Sequence, residues 1–260
     1  MSDLFALLSG SLVGFSLGLI GGGGSILAVP LLLYVVGIKD PHVAIGTSAV
    51  AVAANAFANL LGHWRAGNVK WPCAAVFAVS GVAGAAIGSS LGLLVDGQKL
   101  LFLFALVMIA VGAAMLRPQA AAGDPGVRIT PRIAARLVLI GLLAGTVSGF
   151  FGIGGGFLIV PGIMLGSGMA MLNAVGSSLF SVGVFGLTTA VNYARAGLVA
   201  WPVAFEFIAG GIVGGLLGLW AATRLATHKR ALSRIFAGVV FAVAAYMLWR
   251  TYGAIGIGAG

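Results

Sequence analysis

Long apolar stretches without charge constrain this chain more than any other feature. Residues 4–20 and 26–37 are two such runs, and residues 137–194 contain no Asp, Glu, Lys or Arg. A helix needs about 20 apolar residues to cross a bilayer, and main-chain polar groups inside lipid must be satisfied by the chain itself. Because polar and apolar residues do not alternate in these runs, they predict membrane-spanning helices and not a barrel.

Composition supports an all-α integral membrane protein. Apolar residues make up 60% of the 260 residues and charged residues 7%, whereas soluble domains carry about 25% charged residues. The net charge of +9 does not indicate nucleic acid, because Lys and Arg cluster in short connections, where they set membrane orientation. A single cysteine, Cys73, and three scattered histidines leave no ligand set, so we expect no metal and no cofactor.

The chain contains an internal duplication. Residues 65–72 (RAGNVKWP) match residues 195–202 (RAGLVAWP) at six of eight positions, an offset of 130. The glycine-rich stretches GGGGSILAVP, residues 21–30, and GIGGGFLIVP, residues 152–161, match at an offset of 131. We therefore predict two homologous halves joined by a polar linker, with boundaries at 1–117, 118–133 and 134–260.

Each half is predicted to hold one glycine-broken segment, 4–37 or 137–168, and three ordinary spans. The spans are placed at 43–62, 71–95, 99–117, 174–193, 202–223 and 233–250. If the broken segments cross once, the halves are parallel and Lys plus Arg divide eight to six between the faces; if they enter and return, the halves are inverted and the division is ten to four. The second division fits the positive-inside rule. We predict inverted repeats in the inner membrane, with a cytoplasmic linker and both termini outside.

Each run has three or four adjacent glycines, more than close packing of two helices requires, and glycine lowers the stability of a helix. A helix that begins at residues 23–25 or 155–157 presents free N–H groups and its positive dipole end, and glycine lets an anion approach the backbone closely. The sequence therefore predicts an anion site near the midplane, between the two helix N-termini, that includes Gly22, Gly23, Gly24, Ser25, Gly154, Gly155 and Gly156. Close helix packing is the alternative, and it is the preferred explanation for the glycines at 81–92 and 210–218.

Hydroxyl and amide side chains on the second segment of each half extend this site. They can donate hydrogen bonds to anion oxygens without bringing charge into the membrane. The spacing i, i+7, i+11 keeps Ser48, Asn55 and Asn59 on one helical face, and the same spacing relates Ser181, Thr188 and Asn192. Hydrogen bonding between helices, or back to a helix's own carbonyls, is the open alternative. The predicted substrate-binding residues here are Thr47, Ser48, Asn55, Asn59, Ser177, Ser178, Thr188 and Asn192.

Two repeated features carry a family resemblance. The paired glycine-rich segments, each ending in a hydrophobic residue and Pro, and the repeated R-A-G-x-V-x-W-P after the second span resemble the TauE/SafE family of sulfite exporters and sulfite-permease-like proteins. The resemblance covers nearly the whole chain. It implies a secondary transporter for a small sulfur-containing anion such as sulfite, thiosulfate or an organosulfonate like sulfoacetate. Ile153 stands where the first half has Gly22, so the two glycine-rich loops need not be equivalent.

Few titratable residues lie where they could act in transport. Arg65 and Arg195 occupy matching positions and either attract anions to the two mouths or anchor span ends at the interface. His63 is a gating candidate or an interfacial histidine. Glu206 is the only carboxylate inside a predicted span; it is a candidate for proton coupling or reaches the headgroup layer.

Other functions are also compatible with these residues. The same residues could build a passive anion channel or a carrier of a non-sulfur organic anion. A hydrolase with Ser25 as nucleophile is disfavoured, because the second half has Gly156 at the matching position. We expect no enzymatic activity, no nucleic acid partner, contact with membrane lipid, and a homodimer as the candidate assembly.

Overall fold

The computed structural model describes residues 2–116, 123–124, 126–152, 156–224 and 229–256. Its α-helices are α1 (Ser2–Ile20), α2 (Ala28–Leu31), α3 (Pro41–Arg65), α4 (Trp71–Leu94), α5 (Gly97–Leu116), α6 (Pro131–Phe151), α7 (Gly156–Ser167), α8 (Met171–Arg195), α9 (Trp201–Arg224) and α10 (Lys229–Gly256). A 3-10 helix, Gly21–Leu27, precedes α2, and a π-helix, Leu32–Val36, follows it. Within these residues, α3, α4, α6, α8 and α9 are long and apolar enough to cross a membrane. The chain is a multi-pass helical membrane protein.

The first helix of the second half begins before its predicted start. The glycine-broken segment is predicted to begin at residue 137, but α6 begins at Pro131. Thr130 caps this helix by accepting a hydrogen bond from the Ile133 N–H at 3.3 Å, and proline suits the first helical position because no N–H is needed there. The capping residue therefore starts the helix six residues before the apolar run.

The chain reverses direction at each glycine run, beginning at Gly21 and at Gly152. The 3-10 helix folds back on α1, since a Cβ at Gly24 would lie 2.5 Å from the Leu17 nitrogen. α7 returns along α6, with Gly162 beside Ile140. Gly21 and Gly152, at the two reversals, have φ of +76° and +67°, which only glycine adopts without strain.

The first glycine run is not α-helical, contrary to the predicted helix start at residues 23–25. It forms the 3-10 helix, and α-helical geometry begins only at Ala28. Four consecutive glycines have little preference for the α-helix. In the second half, α7 begins at Gly156 as expected, whereas Gly154 and Gly155 lie outside the described residues.

Two parallel helix pairs are joined by glycines. α1 packs on α9, with Gly14 against the Gly211 main chain, and α6 packs on α4, with Gly145 against the Gly81 main chain. Any Cβ at these positions would overlap the partner backbone. This confirms close packing as the role of Gly81, Gly84, Gly88, Gly92, Gly210, Gly214 and Gly218.

α3 and α8 form an antiparallel pair between these two layers. Gly46, near the start of α3, contacts Leu198 beyond the end of α8, and Gly176, near the start of α8, contacts Asn68 beyond the end of α3. α5 packs on α10. The main chain of Asp124 pairs with Gly168 and Ala170, just before α8, at 3.0 and 3.2 Å. We call this end of the bundle, where α3 ends and α8 begins, the linker side.

Candidate functional site

The first glycine turn lies against α8. A Cβ at Gly21 would be 2.9 Å from Val175 Cγ1 and 3.3 Å from Ser178 Oγ. Ser178 is fully buried and donates its hydroxyl hydrogen to the Val175 carbonyl at 2.8 Å. The 3-10 helix that follows carries Gly22, Gly23, Gly24 and Ser25. The first-half glycine run therefore meets the G-S-S sequence of the second half.

The second turn meets α3 in the same way. A Cβ at Gly152 would overlap Ile45, and the buried Ser48 hydroxyl lies 2.8 Å from the Ile45 carbonyl and 3.3 Å from the Gly152 carbonyl. Ile45 and Ser48 precede Val175 and Ser178 by 130 positions. The two junctions therefore use equivalent residues, each turn packing on the opposite half of the chain.

A pair of reciprocal hydrogen bonds also joins the halves. The Ala200 N–H donates to Thr47 Oγ1 at 2.9 Å, and the Lys70 N–H donates to Ser177 Oγ at 2.9 Å. Both acceptor side chains are fully buried. The donors belong to the repeated R-A-G-x-V-x-W-P segments, so each segment binds the start of the other half's second span. Thr47 and Ser177 thus have a structural contact beside their predicted role in substrate binding.

The two turns lie at different depths. Gly176 contacts Asn68 and Gly183 contacts Phe57, which places Ser178 level with about residues 60–65 of the antiparallel α3 chain. At 1.5 Å per residue, that level is roughly 20 Å from Ser48. This separation is that of Gly21 and Gly152; the 3-10 helix and α7, which follow the two turns, contact each other. One anion held between the two helix N-termini stays a prediction.

Two buried amides occupy the seam between α3 and α9. Asn55 is fully buried, and neither its Nδ2 nor its Oδ1 has a hydrogen-bond partner among the described residues. Asn59 Nδ2 donates to the Asn55 carbonyl at 2.9 Å. Gly211 and Gly215 of α9 make room for the two side chains, since a Cβ at Gly211 would overlap the Asn55 amide and one at Gly215 would lie 2.5 Å from Asn59 Nδ2.

On α8, the residues predicted to bind substrate, Thr188 and Asn192, do not lie on the helix face that corresponds to Asn55 and Asn59 of α3. Thr188 donates to the Val184 carbonyl at 2.8 Å, and Asn192 donates to Ser89 Oγ at 2.6 Å. Both are only half-buried.

The offset of 130 aligns Asn55 with Phe185 and Asn59 with Thr189, which are fully buried. Ser181 and Thr189 are not among the predicted substrate-binding residues, although both hydroxyls are buried and lack a partner in the described structure. The offset itself was the signal that pointed to Thr189.

The charged and titratable candidates lie outside the two junctions. Arg65 and Arg195 are exposed at the ends of α3 and α8, hence at opposite ends of the antiparallel pair. His63 is buried, with Nε2 3.4 Å from the Gly18 carbonyl and Nδ1 3.5 Å from Asn68 Nδ2. Glu206 is half-buried in the second turn of α9. Gating and proton coupling stay predictions for these residues.

A helical membrane bundle with buried glycine turns, hydroxyls and amides at its centre has the construction of a membrane transporter. Comparison with known proteins gives the family. The family model described as "Sulfite exporter TauE/SafE" matches residues 6–247, and the chain belongs to this family.

The relatives are named as transporters too. A "probable membrane transporter protein" of Xylella fastidiosa (strain 9a5c) is 55% identical over 248 residues, which cover 95% of each chain. The "probable membrane transporter protein YunE" of Bacillus subtilis (strain 168) is 28% identical over 242 residues, covering 84% of this chain and 88% of YunE. No solved structure matches the chain.

Proposed function

We propose that this protein is a secondary transporter that carries a small sulfur-containing anion across the inner membrane by alternating access. Sulfite, thiosulfate and organosulfonates such as sulfoacetate are the substrates that the family membership favours. One observation carries the proposal: a glycine turn opening a short helical segment packs on a buried hydroxyl of the opposite half at two equivalent junctions. Backbone N–H groups at a helix start are neutral donors suited to an anion in a membrane.

In the proposed cycle, the anion is held near the midplane at the two glycine-rich segments, and each turn contacts it on its way to one side. The Gly21 turn lies against the start of α8 and serves the linker side, while the Gly152 turn lies against the start of α3 and serves the opposite side. Since each turn contacts the other half, movement between the halves changes both junctions at once. This coupling is what alternating access requires.

We propose that the halves are inverted repeats. Parallel repeats would require α3 and α8, which occupy matching places in the two halves, to run in the same direction, whereas they pack antiparallel. The described glycines with positive φ support the duplication, because they form three pairs at offsets of 130 or 131: Gly21 and Gly152, Gly37 and Gly168, Gly67 and Gly197. We assign the linker side to the cytoplasm by the positive-inside rule.

Arg65 and Arg195 are proposed to attract anions to the two mouths, with His63 gating the linker side. Glu206 is the proposed proton-coupling group. Because α1 and α9 run parallel with Gly18 beside Gly215, Glu206 lies about 18 Å along α9 from the level of the Gly21 turn. Coupling would thus act through movement of α9, and a Glu206→Gln variant with unchanged pH dependence of transport would remove this residue from the mechanism. A homodimer stays a prediction.

The proposal is tested by ligand binding and by transport. Purified protein is heated with sulfite, thiosulfate, sulfoacetate, sulfate, acetate or chloride; a ligand that binds the native state raises the melting temperature. We expect selective stabilisation by a sulfur oxyanion or sulfonate, followed by saturable uptake and counterflow of that anion in proteoliposomes. Folded protein that binds and transports none of them would contradict the substrate class. Uptake without counterflow would favour a passive channel.

A further inference from the structure

The polar side chain of Asn55 is buried where no described residue forms a hydrogen bond with it. Its side chain is fully buried in α3, and both amide atoms lack a partner within the described chain. Burying an unpaired amide is unfavourable in a protein interior, and the membrane offers no water as a substitute. A residue that is unfavourable for packing but has space made for it by Gly211 requires another explanation.

The second half shows that an apolar residue fits the same contact. Phe185 stands 130 positions after Asn55, and Gly81 stands 130 positions before Gly211. A Cβ at Gly81 would overlap the Phe185 ring, just as a Cβ at Gly211 would overlap the Asn55 amide. The Phe185 ring is fully buried and stacks on Phe77 with centroids 6.2 Å apart. The fold itself therefore does not need an amide at this contact.

The position of Asn55 relates it to both turns. Ser48, at the Gly152 turn, lies seven residues before Asn55, and the level of the Gly21 turn lies about as far beyond it, so each turn is roughly 10 Å away along α3. Ser48, Asn55 and Asn59 share one face of the helix. Asn55 is thus midway between the two places where the backbone can contact an anion.

A cavity continues this face towards the linker side. It has a volume of about 120 Å³ and lies between α3 and α9, with Asn59, Gly62, Arg65 and Gly215 in its wall. The exposed apolar side chains of Leu61, Ile212 and Leu216 line it as well. Asn59 is 5% exposed, whereas Arg65 is exposed. Buried amides therefore lead to a cationic side chain at the end of the seam.

We propose that Asn55 and Asn59 form an anion subsite in the α3–α9 seam, occupied by a small oxyanion between the levels of the two turns. The amide N–H groups donate to anion oxygens, which supplies the partner that Asn55 otherwise lacks. The equivalent seam between α8 and α4 is filled by Phe185, so only one side of the molecule has this subsite. The inference rests on the proposed function and deepens it.

The test compares Asn55→Ala and Asn55→Leu with Phe185→Leu, the matched change in the other half. Full-length protein in proteoliposomes takes up radiolabelled sulfite, and the melting temperature is measured on the same preparations. We expect both Asn55 variants to melt no lower than wild type and to take up sulfite about tenfold more slowly or worse, the effect of losing a hydrogen bond to a charged group. Phe185→Leu should stay within about twofold of wild type. Asn55→Thr, which keeps a donor, should recover part of the loss.

Uptake by folded Asn55→Ala within about twofold of wild type would overturn the subsite; this variant decides alone if Asn55→Leu fails to fold. A lower melting temperature for Asn55→Ala, with no recovery of uptake in Asn55→Thr, would also overturn it, because the amide would then be structural. Failure of the proposed function is distinct, since wild-type protein itself would neither bind nor transport sulfite.

Discussion

The hydrogen bond between the halves at Thr47 can be removed with little change of shape. Thr47→Val replaces a fully buried hydroxyl by a methyl group and leaves the Ala200 N–H, 2.9 Å from the lost acceptor, without its partner. An unsatisfied buried donor costs about 1–3 kcal/mol. For a chain of this length, 1 kcal/mol corresponds to about 2–4 °C, so we expect the melting temperature in detergent to fall by roughly 2–12 °C.

Thr188→Val is the matched control on α8. Thr188 donates to the Val184 carbonyl of its own helix at 2.8 Å, so its loss leaves no main-chain donor unpaired, and we expect a change within about 0.5 kcal/mol. Equal stability of the two variants would refute the inference that Thr47 ties the halves together.

Ser177→Ala removes the reciprocal bond from the Lys70 N–H. Thr47 and Ser177 lie more than about 20 Å apart along the antiparallel pair, so the effects of the two substitutions on the free energy of unfolding should add within about 0.5 kcal/mol. A coupling of more than about 1 kcal/mol in the double variant would show that the two hydrogen bonds do not contribute independently to stability.

Three further predictions separate packing, backbone conformation and function. Gly21→Ala and Gly37→Ala both force a side chain into positive φ, at about 1–2 kcal/mol each. Because nothing lies within 4 Å of a Cβ at Gly37, only Gly21→Ala should reduce sulfite uptake. Equal uptake by both variants would argue against the turn as a site. Gly14→Leu should lower stability by about 1–3 kcal/mol or more, because its side chain would overlap the Gly211 main chain; Gly238→Leu, with open space around it, should change stability by less than about 0.5 kcal/mol in the same thermal assay. Thr130→Ala should cost about 1 kcal/mol by removing the cap of α6, and no change would mean that Pro131 alone fixes the helix start.

Local signals explain what the sequence could predict. In the repeated R-A-G-x-V-x-W-P segments, Gly67 and Gly197 end α3 and α8 with φ of +71° and +74°, and the Trp-Pro pairs open α4 and α9. A glycine in the left-handed conformation ends one helix, and a proline in the first turn favours the start of the next; both signals lie within a few residues of the sequence. Apolar length and these signals therefore predict the bounds of α3, α4, α8 and α9 to within about three residues.

Tertiary packing explains what the sequence could not predict. Helical spacing shows which residues share a face, but it does not show which face is buried; on α8 it favoured Thr188 and Asn192, whereas Phe185 and Thr189 occupy the fully buried positions. Likewise, the similarity of the two glycine runs did not reveal their separation. That distance follows from the antiparallel contact of α3 and α8, which no single segment encodes.

The separation of the turns changes what the symmetry of the chain can do. Equivalent junctions at two depths give the anion similar contacts near each face, while Asn55 and Phe185 make the middle of the two seams different. Such a difference cannot choose the direction of net transport, because a carrier's net flux follows the gradients of its substrates. It can change the rate and the apparent affinity at each face separately. We therefore expect the half-saturating sulfite concentration to differ between the two faces, and the difference to shrink when Asn55 is replaced by the phenylalanine of its counterpart.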